Sequence, residues 1–190
     1  MNEIITNISV TKLESIIELA HLLGRQNDYE EVLRLVVEKA SALVKSDIAL
    51  VMMINPKTRH TIKTVYGESK SGDEQGHFVH TNICGWVILN NSSLLSTDIK
   101  SDDRFRKKLF EKINAKSALC VPFRVENIII GTLLLLNNEA NISFSDSDLL
   151  LMQKYSAIAA PFLHCSQEIS EYFVSPLPKK TLLVKYGILG

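Results

Sequence analysis

Two strand–turn–strand patterns constrain the fold of this 190-residue chain more than any other feature. The apolar run Ile48–Ile54 is followed by a turn that contains Pro56 and then by the β-rich run Arg59–Tyr66. In the second pair, Ser117–Val125 and Ile128–Asn137 are separated by two residues. Connections this short join antiparallel strands, because parallel strands need a crossover of a dozen or more residues. The chain is therefore predicted to form an antiparallel sheet and not a doubly wound parallel one.

Three stretches with apolar residues every three to four positions predict helices. They cover Thr11–Leu23, Tyr29–Val44 and a long segment that begins at Ser145. Thr11, Asp28 and Ser145 stand at the starts of these stretches, and each can cap a helix and is followed three residues later by an acidic residue. Pro161 lies inside the last segment, and its missing N–H predicts a kink or an end of the helix near Ala160.

The region between the two hairpins adds shorter elements. His77–His80 and Leu94–Thr97 are predicted as strands, with a short helix over Ile83–Asn90. The sequence thus predicts an α+β fold. In this fold a central antiparallel sheet of about six strands is flanked by helices, and the N- and C-terminal helices pack together.

Charge and composition restrict the class of partner. Lys and Arg together number 21 and so do Asp and Glu, so the net charge is zero. Proteins that bind nucleic acid or anionic lipid directly usually carry a basic excess, which argues against both partners. The three cysteines are widely spaced and odd in number, which is typical of reduced thiols in a cytoplasmic protein. No apolar run approaches the roughly 20 residues of a membrane-spanning helix.

Several motifs in the middle of the chain together resemble the GAF domain, a small-molecule sensor module of bacterial regulators. Cys84-Gly85-Trp86-Val87 and the strand ending at Asp98 resemble its central motif, and the Ser117–Asn137 hairpin is similar to its last hairpin. Phe144 with the Asp148-Leu149 pair resembles the entry to its final helix. The resemblance extends over residues 29–166.

The resemblance also carries departures that bear on the ligand. The cyclic-nucleotide-binding branch of the family has a Lys after its Asn and a Glu after its Asp. Asn138 and Leu149 stand at these positions, which argues against a cyclic nucleotide. The Cys-His pair that attaches bilins in phytochromes is absent. The ligand class and any cofactor are therefore left open.

The resemblance implies a non-catalytic sensor that regulates an attached output domain. Leu183–Gly190 looks like the entry to the ATPase domain of sigma-54-dependent activators, which implies an output domain beyond Gly190 and a role in transcription control. A histidine kinase as output, or a ligand-free dimerisation module, is the alternative reading. The expected organisation is an N-terminal dimerisation and signalling helix over residues 1–26, the GAF domain over 27–168 and a linker over 169–190. The apolar terminal helices predict a homodimer.

Candidate ligand-binding residues follow from the presumed pocket and keep structural alternatives. Cys84 is either a pocket thiol or a small buried hydrophobe. Trp86 and Tyr66 either wall a pocket or pack in the core, and Asp98 either orients a ligand or caps a turn. The expected set is Tyr66, His80, Ile83, Cys84, Trp86, Asp98 and Cys120.

Catalytic and metal-binding readings are weaker. Free methionine sulfoxide reductases of the GAF fold carry a Cys-Gly similar to Cys84-Gly85, but they need another cysteine in the loop before the Ser117 strand. None occurs between Thr97 and Ala118, so no catalytic residue is assigned. On a strand, His77 and His80 would point to opposite faces and could not share one metal ion.

Overall fold

The computed structural model describes residues 10–55, 61–64, 74–106, 110, 114–138 and 143–173. These residues form four helices and five strands. In chain order the elements are α1 (Val10–Leu23), α2 (Tyr29–Val44), β1 (Ile48–Ile54), β2 (Thr61–Thr64), α3 (Glu74–Asn90), β3 (Leu94–Ser96), β4 (Ser117–Val125), β5 (Ile128–Asn137) and α4 (Asp146–Phe173). The α+β fold predicted from the sequence is confirmed.

The five strands form one sheet in the order β2-β1-β5-β4-β3, and every neighbouring pair is antiparallel. Both predicted hairpins are present. Glu126 and Asn127 connect β4 to β5 with φ angles of 49° and 67°. Positive φ at both central residues is what a two-residue hairpin connection requires.

The prediction of about six strands is wrong for the part of the chain that the structure describes. The run His77–His80, predicted as a strand, lies inside α3 instead. A short apolar run does not distinguish strand from helix. Lengthening the helix that contains Ile83–Asn90 gains one backbone hydrogen bond for each residue added. A separate strand would instead need a free sheet edge to pair with. The alternation argument applied to His77 and His80 therefore does not hold.

The predicted capping signals of α2 and α4 are confirmed, whereas Thr11 lies inside α1, which already includes Val10. Asp28 Oδ1 accepts hydrogen bonds from the N–H groups of Glu30 and Glu31, at 2.8 and 3.0 Å. At the start of α4, Ser145 N donates to Asp148 Oδ2 and Asp148 N donates to Ser145 Oγ, at 3.0 and 3.2 Å. This is the reciprocal capping box predicted from the spacing. The helix α4 does not end at Pro161 but continues to Phe173.

Both faces of the sheet are covered, which explains why its inner strands are almost continuously apolar. The helices α2 and α4 cover one face, and α1 packs against both of them. Together they form what we call the helix-side core, which includes Leu19, Val36, Val121, Leu133 and Tyr155. The N- and C-terminal helices pack together as predicted. Lys12 Nζ of α1 lies 3.5 Å from Asp148 Oδ1 of α4.

The helix α3 covers the opposite face. The buried residues there, which we call the α3-side core, are Leu50, Met52, Ile83, Cys84, Val87, Leu94, Ile99, Phe110, Ala115, Ala118, Cys120, Leu134 and Leu136. Leu133 and Leu134 are neighbours in β5 but belong to different cores, because successive strand side chains point to opposite faces.

Gly131 marks a close approach between β5 and β1. A Cβ atom added at Gly131 would lie 2.6 Å from Met52 O and 2.7 Å from Met53 Sδ. Since the first of these is backbone, the strands would have to separate. We expect Gly131→Ala to lower the free energy of unfolding by about 1–3 kcal/mol in urea denaturation.

Gly85 provides the matched control for this substitution. Within α3 a Cβ atom at Gly85 would meet no described atom within 4 Å. Because alanine favours helix over glycine, Gly85→Ala should leave stability unchanged or raise it by up to about 1 kcal/mol. Equal losses for the two substitutions would contradict the close approach at Gly131.

Candidate ligand-binding site

The α3-side core is built around a row of side chains that crosses four strands. The sheet register pairs Leu94 with Cys120, Cys120 with Leu134, and Leu134 with Leu50. All four residues are buried and face α3. The row forms an apolar floor against which the buried face of α3 packs.

Two of the predicted residues, Ile83 and Cys84, project from α3 into this core. Both are buried, and Val87 one turn later completes the contact face of the helix. The structure thus brings Ile83, Cys84 and Cys120 together on one side of the sheet. Their role in ligand binding stays a prediction.

The thiols of Cys84 and Cys120 meet across the contact between α3 and β4. Burial, and next the adjacent Cys84 thiol, raise the pKa of Cys120 well above its usual range. Cys120 is therefore a neutral thiol near pH 7. Because the thiolate is the nucleophile and the metal ligand, this environment suppresses both kinds of reactivity at Cys120.

Trp86 lies at the margin of the α3-side core and is half-buried. The guanidinium carbon of Arg104 is 5.3 Å from the centre of its ring, and the ring of Phe105 is 6.5 Å away. Phe105 in turn packs edge-on against Phe110, with centroids 5.3 Å apart. The cation and the three aromatic rings form a continuous layer from the margin to the buried Phe110.

Arg104 lies at the surface, and its guanidinium is held by two partners. Its Nε and Nη2 atoms donate to the two carboxylate oxygens of Asp102, at 2.8 and 2.6 Å. Nη2 also donates to the Leu95 carbonyl of β3, at 2.7 Å. The hydrogen bond from Arg104 lowers the pKa of Asp102 to about 2. In the sequence, only the spacing Asp102-x-Arg104 indicates these contacts of Arg104.

The predicted residue Asp98 occupies a turn. Its Oδ1 accepts a hydrogen bond from Lys100 N at 3.1 Å, and its carbonyl accepts one from Ser101 Oγ at 3.3 Å. The structure thus shows the turn-capping role that was the alternative to ligand orientation. A further role toward a ligand stays a prediction.

The two remaining predicted residues cannot be placed against the site. Tyr66 lies outside the described residues. His80 lies in α3, but the described structure gives only its backbone. Among the described residues, no three His, Cys, Asp or Glu side chains are arranged to hold a metal ion.

Thr132 is a residue of this site that the sequence analysis missed. It is fully buried in β5, and its Oγ1 makes no hydrogen bond of standard geometry among the described residues, although its hydroxyl lies beside the Cys120 thiol and acts to lower the pKa of that thiol. A buried hydroxyl without a partner costs about 1–3 kcal/mol. Within an apolar run such as Ile128–Leu136, a single threonine carries no signal that its hydroxyl will be left unpaired.

Comparison with solved structures places the fold among GAF domains. The GAF domain of a phosphoenolpyruvate-protein phosphotransferase from Acinetobacter superimposes with a TM-score of 0.68 at 15% identity, covering 85% of this chain and 97% of that one. A free methionine-R-sulfoxide reductase from Neisseria meningitidis in complex with its substrate gives 0.64 at 12% identity, with 85% and 95% covered. The GAF domain of a putative sensor histidine kinase from Pseudomonas syringae gives 0.58 at 16% identity, with 85% and 91% covered.

Sequence comparison identifies the family. No curated protein sequence matches significantly. In the described part of the chain, no helix combines the length and apolar character needed to cross a lipid bilayer. The family model for the GAF domain matches residues 26–164. The chain therefore belongs to the GAF domain family.

Proposed function

We propose that this chain is a non-catalytic sensor domain that binds a small molecule between the sheet and α3. The observation that carries the proposal is the unpaired Thr132 hydroxyl inside the α3-side core. A core that serves packing alone favours an apolar side chain there, because valine has the same shape without the cost of burying a hydroxyl. Ligand sites are typically lined by apolar side chains with a small number of polar groups among them.

A reductase activity receives less support. Such chemistry needs a thiolate nucleophile, and Cys120 is buried with a raised pKa beside Cys84. The likeness to the Neisseria meningitidis enzyme, at 12% identity, concerns the fold. The proposal therefore keeps the chain as a binding domain.

The proposed role is the regulation of an attached output domain in a cytoplasmic protein. Binding would favour one arrangement of α3 over another, and the packed terminal helices would pass this bias on. The resemblance of residues 183–190, which lie outside the described part of the chain, favours a sigma-54-activating ATPase as the output domain. The kinase-derived structural neighbour favours a histidine kinase as the alternative. Both assignments are analogies drawn from resemblance.

A ligand-free dimerisation module is the competing function. The complete burial of Leu94, Phe110 and Leu134 favours it, because a filled core leaves little room for a ligand. The two functions differ in whether the α3-side core responds to small molecules.

Leucine substitutions at two matched native alanines distinguish these functions. Ala118 faces α3 and Ala49 faces the helix-side core, and both are buried in strands. Enlarging either to leucine should cost about 1–3 kcal/mol by overpacking. In a thermal-shift screen of a metabolite library, we expect a compound that raises the melting temperature of the wild type and of Ala49→Leu but not of Ala118→Leu. Failure of every compound to stabilise the wild type would favour the dimerisation module.

A further inference from the structure

The position of Thr132 in the sheet determines which side chains lie next to its hydroxyl. In the register, Thr132 lies between Pro122 of β4 and Met52 of β1. The preceding Gly131 faces Met53 on the helix side, so Thr132 faces α3. Cys120 is the diagonal neighbour of Thr132 on the same face, two register positions along the β4–β5 ladder.

The described side chains that neighbour this hydroxyl in the sheet are neutral. The apolar residues of the α3-side core contribute the thiols of Cys84 and Cys120, and the buried Ser96 on the same face is hydrogen-bonded to Asp102. The cation Arg104 at the margin is already bound by Asp102. A second cation, Arg124, donates to the carbonyl and side-chain oxygens of Asn91.

This arrangement selects against charged ligands. A carboxylate or phosphate moved into the α3-side core would lose its hydration without gaining an opposite charge from the described residues. A neutral ligand would lose less hydration, and one hydroxyl or carbonyl group on it could pair with the free hydroxyl of Thr132. The apolar floor of Leu50, Leu94 and Leu134 would contact the rest of such a molecule.

We propose that Thr132 Oγ1, beside the thiols of Cys84 and Cys120, is the polar contact of a subsite for an uncharged small molecule with an apolar body and one hydrogen-bonding group. This inference rests on the proposed sensory function and specifies the ligand class. It assigns to Thr132 a role in specificity.

The test uses phenol, toluene and benzoate, which are similar in size and differ in one substituent. Phenol carries one hydrogen-bonding group, toluene carries none and benzoate carries a charge. Trp86 is the only tryptophan of the chain and packs against the α3-side core, so its fluorescence reports binding there. In the wild type we expect phenol to bind about fivefold more tightly than toluene, as one hydrogen bond of ordinary strength predicts. Benzoate should bind weakest.

The variant Thr132→Val removes the hydroxyl and keeps the shape. It should reduce the preference for phenol over toluene to within about twofold, as loss of that hydrogen bond requires. The melting temperature of the free protein should stay unchanged or rise. Thr132→Ser, which keeps the hydroxyl, should keep the preference even if its smaller side chain weakens both probes. Because the readout is a ratio of affinities, a general loss of stability does not imitate it.

Several outcomes would overturn the subsite. For the wild type, these are equal binding of phenol and toluene, tightest binding by benzoate, or no binding of any probe at millimolar concentration. For Thr132→Val, the outcome is a preference for phenol over toluene as large as that of the wild type. A marked fall in melting temperature for Thr132→Val would show that the hydroxyl is structural. The proposed sensory function fails separately, when no library compound stabilises the wild type.

Discussion

Replacing Tyr155 by alanine is expected to lower the free energy of unfolding by about 3–5 kcal/mol, the range found when large buried aromatic side chains are truncated. Tyr155 lies in α4 and is fully buried in the helix-side core. Its hydroxyl donates a hydrogen bond to the Val36 carbonyl of α2 at 2.7 Å. Burial raises the pKa of this hydroxyl, so it remains a donor across the working pH range. One side chain therefore joins two helices by packing and by a hydrogen bond.

The variant Tyr155→Phe separates these two contributions. It retains the ring and removes the hydrogen bond, so we expect a loss of about 0.5–1.5 kcal/mol. Urea denaturation of both variants measures the two losses. The dependence of the unfolding free energy on urea concentration should be the same in each variant, so that the free energies can be compared. A loss for phenylalanine as large as that for alanine would contradict the assignment of most of the energy to packing of the ring.

Introducing lysine at both Leu13 and Ile17 is expected to weaken association of the proposed homodimer by at least about 100-fold, since two interface residues commonly contribute a few kcal/mol together. The two residues are four apart on α1, so they share one face of the helix. They are 42% and 59% exposed in the single chain, although both are large and apolar. In a dimer bundled through the terminal helices, this face would be covered, and buried lysines would oppose association.

Sedimentation equilibrium at micromolar concentration measures this effect. The stability of the monomer should change little, because both side chains already face solvent within one chain. Leu89→Lys is the matched control, because Leu89 is 86% exposed on α3 and away from the proposed interface. A dimer that survives the double substitution would exclude the α1 face, and a monomeric wild type would exclude the homodimer.

The elements that the sequence predicted well are those whose signals are local. The two hairpins, the capping of α2 by Asp28 and the capping box of α4 each depend on residues a few positions apart. The run His77–His80 was wrongly predicted as a strand, because four residues are too few to distinguish the two-residue period of a strand from the 3.6-residue period of a helix. Only its continuity with the rest of α3 decides between strand and helix.

The site could be predicted only in part, because its chemistry depends on contacts between distant segments. Cys84 and Cys120 were both candidates, but their meeting requires the packing of α3 on β4. Arg104 lies among other charged residues in the sequence, and its engagement with Trp86 and Asp102 appears only when the turn folds against β3. Whether the Thr132 hydroxyl finds a hydrogen-bond partner depends on all the side chains packed around it, which come from several distant segments.

Methyl-detected NMR with a bound library compound tests most directly whether the ligand lies between the sheet and α3. The strand β5 contains its own control, because Leu134 and Leu136 face α3 whereas Leu133 and Leu135 face the helix-side core. We predict large chemical-shift changes and ligand contacts at Leu134, Leu136 and Ile83, with small changes at Leu133 and Leu135. Contacts at Leu133 and Leu135, or binding that leaves the α3-side methyl groups unmoved, would contradict the account.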